Sequence, residues 1–214
     1  TIICISGGDF SPMINEKPVV LNSRIQVFEN DILSFGKVNF GVRCYVAVKG
    51  GFLSDLKLQS SSFYQNITQK SIVEKGDMLP FKEHKEPFSS TKSLIKIDQN
   101  HFSTIRLDCF KGPEFEMLNE HQQEKLTTEI FTISNDNNRM GVKLNEIFAN
   151  NLPQILTSAV LPGTVQLTPS GKLIILMRDC QVTGGYPRVL QLTEFSISRL
   201  AQKSTNQKIS FNAI

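Results

Sequence analysis

The chain has 214 residues, enough for one large or two small domains, and its 40% hydrophobic content is sufficient for a buried core. Lysine and arginine total 23 against 20 acidic residues, a net charge of +3, and the basic residues are scattered, which argues against a nucleic-acid binder. No apolar run approaches the ~18 residues a membrane helix needs, so neither nucleic acid nor membrane is an expected partner and a cytoplasmic location is expected.

Taken in order, Ile2 to Ser6 is apolar and β-branched and reads as a strand that Gly7-Gly8-Asp9 breaks. Turn signals at Ser11-Pro12 and Asn15-Glu16-Lys17-Pro18 precede short strands predicted at Val19–Leu21, Ile25–Phe28 and Ile32–Phe35. Val42 to Val48 is a longer strand closed by Lys49-Gly50-Gly51. Strands cut by turns every ~8–12 residues predict a mainly β chain, a sandwich or barrel. From Pro80 to Ser93 the pattern dissolves into Lys, Glu, Ser and Pro, a solvated hinge. The expected division is therefore a β domain over residues 1–90 and a second domain over 91–214.

The second part opens with predicted strands at Leu94–Ile97 and Thr104–Phe110 and a turn at Gly112-Pro113-Glu114. Short helices are expected from Pro113 or Glu114 and from Asn119 to about Leu126, then a strand from Thr128 to Ile133 and a polar loop over Ser134–Asn138. Thr164 to Thr168 alternates at period two, and Leu173 to Met177 is an unbroken apolar run, as in a strand buried on both faces. Ser196 to Gln202 reads as a helix capped by Thr193 or Ser196, and Lys208 to Phe211 as a closing strand. Cys4, Cys44, Cys109 and Cys180 form no CxxC pair and are expected to be reduced thiols, three of them core filler, and no metal site is visible.

The loop Arg178–Pro187 follows the most apolar strand, so it delivers polar groups from a rigid strand end. Gly184-Gly185 can present backbone N–H groups to an oxyanion, or simply make a tight barrel corner. Asp179 and Gln181 can orient a substrate or cap their own loop. Tyr186 can donate a hydrogen bond to a ligand or to backbone. Gln166 suits an amide ligand if it points into a barrel mouth and is merely solvated if it points out. Arg139 and Arg43 are possible carboxylate or phosphate clamps; Arg139, which follows a turn-rich loop, is the better candidate, and Arg43 on its strand can instead pair with an acidic neighbour. No Walker A loop, Gly-x-Ser-x-Gly elbow or zinc motif occurs.

Several of these segments together resemble the allophanate hydrolase subunit 2 family. They are Pro162-Gly163-Thr164-Val165-Gln166, Pro169-Ser170-Gly171, the loop Asp179-Cys180-Gln181-Val182-Thr183-Gly184-Gly185-Tyr186-Pro187, Gly41 to Phe52, and Asn138-Arg139-Met140-Gly141. In the family pattern Val182 would be Thr, Gln59 would be Gly, Ser61 would be Arg, and Val142-Lys143 would be Tyr-Arg. The family also carries an N-terminal segment with a Gln-Asp-x-Gly-Arg-type motif that does not occur here, so residues 1–90 are expected to be a truncated N-terminal β domain.

The resemblance implies cyclophilin-like β-barrel domains with a few short helices. It implies an enzyme, the C-type subunit of an ATP-dependent 5-oxoprolinase-type amidohydrolase (5-oxoproline to glutamate) that acts with an allophanate hydrolase subunit 1-like partner, of the 5-oxoprolinase B-type or KipI-like kind. A KipA-like regulator binding a sensor-kinase inhibitor, or the carboxyltransferase part of a biotin-dependent urea carboxylase, are the alternatives. The cofactor implied is ATP, shared with the partner. The implied catalytic residues are Asp179 and Arg139. Gln166, Gln181, Thr183, Gly184, Gly185, Tyr186 and Arg43 are the implied contacts to a small-molecule amide substrate.

Overall fold

The computed structural model describes residues 1–84, 95, 97–98 and 100–214. The chain forms two compact units, one of Thr1–Phe40 with Cys44–Lys96 and one of Gly41–Arg43 with Ile97–Ile214. The predicted strand at Leu94–Ile97 and most of the predicted hinge include residues outside those described.

The first unit contains β1 (Ile2–Asp9), β2 (Met13–Ile14), β3 (Lys17–Pro18), β4 (Ile25–Gln26), β5 (Leu33–Ser34) and most of β6 (Phe40–Val48). β1 is central, antiparallel to both β4 and β6, and buries Ile3 and Ile5. The strand expected at Val19–Leu21 is instead β3, two residues earlier. Asn15 and Glu16 both adopt positive φ, 49° and 64°, and close a two-residue turn that pairs Met13 with Pro18. Such a turn matches the twist of the strands it joins, so the turn chemistry sets the register.

The second unit holds α1 (Asn100–Ser103), β7 (Arg106–Lys111), a 3-10 turn (Phe115–Met117), α2 (Glu120–Thr128), β8 (Phe131–Asn137), β9 (Gly141–Ile147), β10 (Ser158–Ala159), β11 (Thr164–Leu167), β12 (Lys172–Leu176), β13 (Thr183–Gly184), β14 (Arg188–Leu192), α3 (Glu194–Leu200) and β15 (Lys208–Ala213). Seven strands close a barrel in the order β11-β12-β9-β8-β15-β7-β14. The mainly β expectation holds. Ser134–Asn137, read from sequence as loop, continues β8, with a shift of register between the Ile133–Leu144 and Asn137–Val142 pairs to β9, although its polar side chains gave no strand signal.

Alternation along each strand sends one set of side chains inward. Leu107, Cys109, Ile133, Leu144, Val165, Leu167, Leu173, Ile175, Ile209 and Phe211 fill the barrel. β12 is therefore not buried equally on both faces, since Ile174 points the other way and is half-buried. α2 begins at a capping box between Asn119 and Gln122 and contributes Leu126 to the core. α3 is capped by Thr193, whose side chain accepts from the Ser196 N–H, and contributes Ile197 and Leu200. All four cysteines are free, and of these only Cys109 is buried, where burial pushes its thiol up to about 11. Three core cysteines were expected; Cys4, Cys44 and Cys180 are only partly buried.

Candidate functional site

Gln166 is the centre of the site. On β11, Val165 and Leu167 point into the barrel, so Thr164 and Gln166 point outward. Outward here does not mean solvated, for Gln166 is only 1% exposed. The loop that carries β13 folds back over it, and β13 pairs with β10 as a two-stranded cover. The site is thus built on the outer wall of the barrel, not in its mouth.

Strand register lays a row of side chains along this wall. Gln166 lies opposite Arg188 of β14 and Ile174 of β12, and Ile174 lies opposite Lys143 of β9. A pocket of about 200 Å³ opens over the row, lined by Asp136, Asn138, Met140, Gly141, Lys143, Gln166, Ile174, Leu176, Gln181 and Tyr186. Gln166 Oε1 accepts a long 3.5 Å contact from Gln181 Nε2. Gln166 Nε2 is buried and has no hydrogen-bond partner among the described residues. A buried amide donor left unmatched costs on the order of 1–3 kcal/mol, so it needs a functional account.

Gly184 makes the close cover possible. A Cβ placed there would lie 2.5 Å from Gln166 Nε2 and 3.5 Å from Val160 Cγ1, so any larger residue would push the Gln166 amide out of its present position beneath the loop backbone. Gly185 is similarly committed, its carbonyl accepting from the Ile155 N–H at 3.1 Å. Arg188 clamps the cover from the other side. Its backbone N–H and Nε donate to Glu114 Oε2 at 2.9 Å, its Nη2 to Glu114 Oε1 at 2.7 Å, and its Nη1 to the carbonyl of Ala159 on β10 at 3.0 Å. The arginine holds the Glu114 carboxyl below its ordinary range.

Asp179 and Arg139 are brought together, but with each other. Arg139 Nε lies 2.7 Å from Asp179 Oδ2, and the Asp179 N–H donates to the Arg139 carbonyl at 3.0 Å. Beside them, the Met177 N–H donates to the Met140 carbonyl at 2.9 Å. The pair joins two segments that line the pocket without lining it itself. Asn138 serves its turn, accepting from the Met140 and Gly141 N–H groups at 2.8 and 3.2 Å. Burial holds the Cys180 thiol above its ordinary value, with the Asp179 charge adding to the effect, which leaves it protonated and weakly nucleophilic.

Gln166, Gln181 and Tyr186 therefore converge on the pocket, while Thr183, Gly184 and Gly185 belong to the cover. Arg43 does not line the pocket, since its guanidinium donates to the Ala201 carbonyl and its backbone N–H to Gln202 Oε1 at 3.1 Å. Asp136, Lys143 and Ile174 escaped the sequence reading. Recognising Gly141–Ile147 as a strand would have placed Lys143 in the row with Gln166.

A family model described as carboxyltransferase domain, subdomain A and B, matches residues 1–213. The chain belongs to this family. Among its relatives, the C-type 5-oxoprolinase subunit of Haemophilus influenzae is 28% identical over 99% of this chain and 69% of its own length. Among solved structures, the protein TTHA0988 superposes with a TM-score of 0.81 at 22% identity, over 99% of this chain and 42% of that one. The Kluyveromyces lactis urea carboxylase superposes with a TM-score of 0.78 at 22% identity, over 100% of this chain and 21% of that one. The chain thus spans about two thirds of the bacterial relative and well under half of either structure. These solved structures share the fold of the chain. Among the described residues no group of three His, Cys, Asp or Glu could hold a metal ion, and no helix is long and apolar enough to cross a membrane.

Proposed function

We propose that this chain is the C-type subunit of an ATP-dependent 5-oxoprolinase-type amidohydrolase, acting with an allophanate hydrolase subunit 1-like partner. The observation that carries the reading is the unmatched amide N–H of Gln166, which lies beneath the Gly184 cover on a residue that lines a pocket of about 200 Å³. A ring-amide carbonyl is an acceptor that would match this donor, and the name of the bacterial relative supplies the substrate class. In this reading Gln166 Nε2 donates to the carbonyl oxygen and favours the build-up of negative charge there as the ring opens. Gln181 orients the Gln166 amide, and Tyr186 and Leu176 border the ring. Arg139 and Asp179 act as positioning residues, holding the two segments that carry the pocket rim.

The pocket residues do not fit ATP. The volume falls below the roughly 300 Å³ at which ligand sites of cofactor size begin, and the one cation lining it among the described residues, Lys143, is paired with Asp136. We place the nucleotide with the partner and route no step through it on this chain. The test is coexpression with the partner and an assay of ATP-dependent conversion of 5-oxoproline to glutamate. Gln166→Met in a folded complex is expected to abolish turnover. Turnover within twofold of the parent would refute the role.

A further inference from the structure

We propose that Lys143 is the residue by which the pocket selects ligands carrying a carboxylate, and that it does so by exchanging its ion pair with Asp136 for one with the ligand. The inference rests on the amide-binding reading above and adds what decides specificity within that site.

Three observations support it. First, Lys143 shares the outer face of the wall with Gln166, two strands away through Ile174. Neighbouring strands lie about 4.8 Å apart, so the two backbones are roughly 10 Å apart and a lysine stem can bring its ammonium over the pocket. Second, among the described residues Lys143 is the only cation lining the pocket, and Asp136 the only anion. Third, the two are already paired, with side chains 43% and 64% exposed. A pair this open contributes little to stability, so it is poised for exchange. With the pair closed, the pocket is neutral and accepts an uncharged amide. A carboxylate on the ligand competes with Asp136 for the same ammonium while the ring carbonyl accepts from Gln166. The polar donor fixes the amide end and the ammonium fixes the acid end, a two-point reading that a neutral ring amide cannot satisfy. Asp136 is then a built-in competitor that holds off weak anions.

Calorimetry on the purified complex with its partner tests this with two probes, 5-oxoproline and the uncharged lactam 2-pyrrolidinone. Lys143→Gln is expected to weaken 5-oxoproline about tenfold and leave 2-pyrrolidinone unchanged, and Lys143→Arg to restore 5-oxoproline binding. Asp136→Asn is expected to tighten 5-oxoproline about threefold, an effect that shrinks as salt is raised. Equal losses for both probes in Lys143→Gln, no loss for either, or weaker 5-oxoproline binding in Asp136→Asn would overturn the exchange while leaving the Gln166 reading standing. Failure of both probes to bind the parent complex would overturn the amide reading and the exchange with it.

Discussion

Replacing Gln166 by methionine separates stability from function. The side chain is 1% exposed, its Nε2 has no acceptor among the described residues, and its Oε1 has only a 3.5 Å contact with Gln181. An unmatched buried donor costs about 1–3 kcal/mol, and methionine has nearly the same length and shape without the polar atoms. Gln166→Met is therefore expected to stabilise the barrel unit by about 1 kcal/mol or more, a rise of roughly 2–4 °C in its melting transition per kcal/mol for a chain of this size. Differential scanning calorimetry on the two proteins measures it, with the barrel transition assigned by its own core variants. The same substitution is expected to remove ligand binding. A loss of about 1 kcal/mol or more would refute the reasoning, because it would mean that the fold itself satisfies the amide.

Gly184→Ala is expected to destabilise the barrel unit by roughly 1–3 kcal/mol and to reduce ligand affinity, since its Cβ would stand 2.5 Å from Gln166 Nε2; chemical denaturation and calorimetric titration read the two effects. Glu114 is depressed by Arg188, so the pair's stabilisation is fully present above the unfolded carboxyl value and is lost as pH falls through the lower folded value. Stability of the parent is expected to decline on the acid side of pH 4.5, and Glu114→Gln is expected to start about 2 kcal/mol lower at neutral pH with a flatter acid limb, measured by denaturation across the acid-to-neutral range. Gln59 adopts φ 65° in a tight turn closed by two 2.9 Å hydrogen bonds between Lys57 and Ser60. Gln59→Gly is expected to stabilise the first unit by about 1 kcal/mol, because glycine occupies that region without a Cβ clash, and an unchanged or lower melting point would contradict this.

The barrel strands with strong alternation or apolar runs, β7, β11, β12 and β15, were legible because their inner faces carry the core. β8 and β9 were not. Ser134-Asn135-Asp136-Asn137 has the composition of a loop, and only pairing with Gly141–Ile147 makes it strand. That omission hid half of the pocket, since Asp136 and Lys143 stand on those two strands. The Gln166 orientation shows a different limit. Period-two alternation correctly puts it opposite Val165 and Leu167, but a sequence does not reveal that a loop fifteen residues later folds over the outer wall and buries it. Asp179 and Arg139 were singled out as catalytic by the family resemblance, and what the sequence could not show is that they pair with each other beside the pocket rim. The substitution of Gln59 for the family glycine is explained by no contact in the structure.

Everything proposed for this site turns on Gln166 Nε2 donating to a ligand amide on the outer wall of the barrel. Side-chain amide ¹⁵N–¹H spectra of the complex, with the Gln166 pair assigned by its loss in Gln166→Met, test this most directly. Titration with 5-oxoproline is expected to move the Gln166 NH₂ resonances downfield and to move them more than those of Gln122, whose Nε2 already donates to the Ala149 carbonyl at 2.9 Å. Saturating 5-oxoproline that is turned over by the complex while leaving the Gln166 resonances in place would contradict the claim.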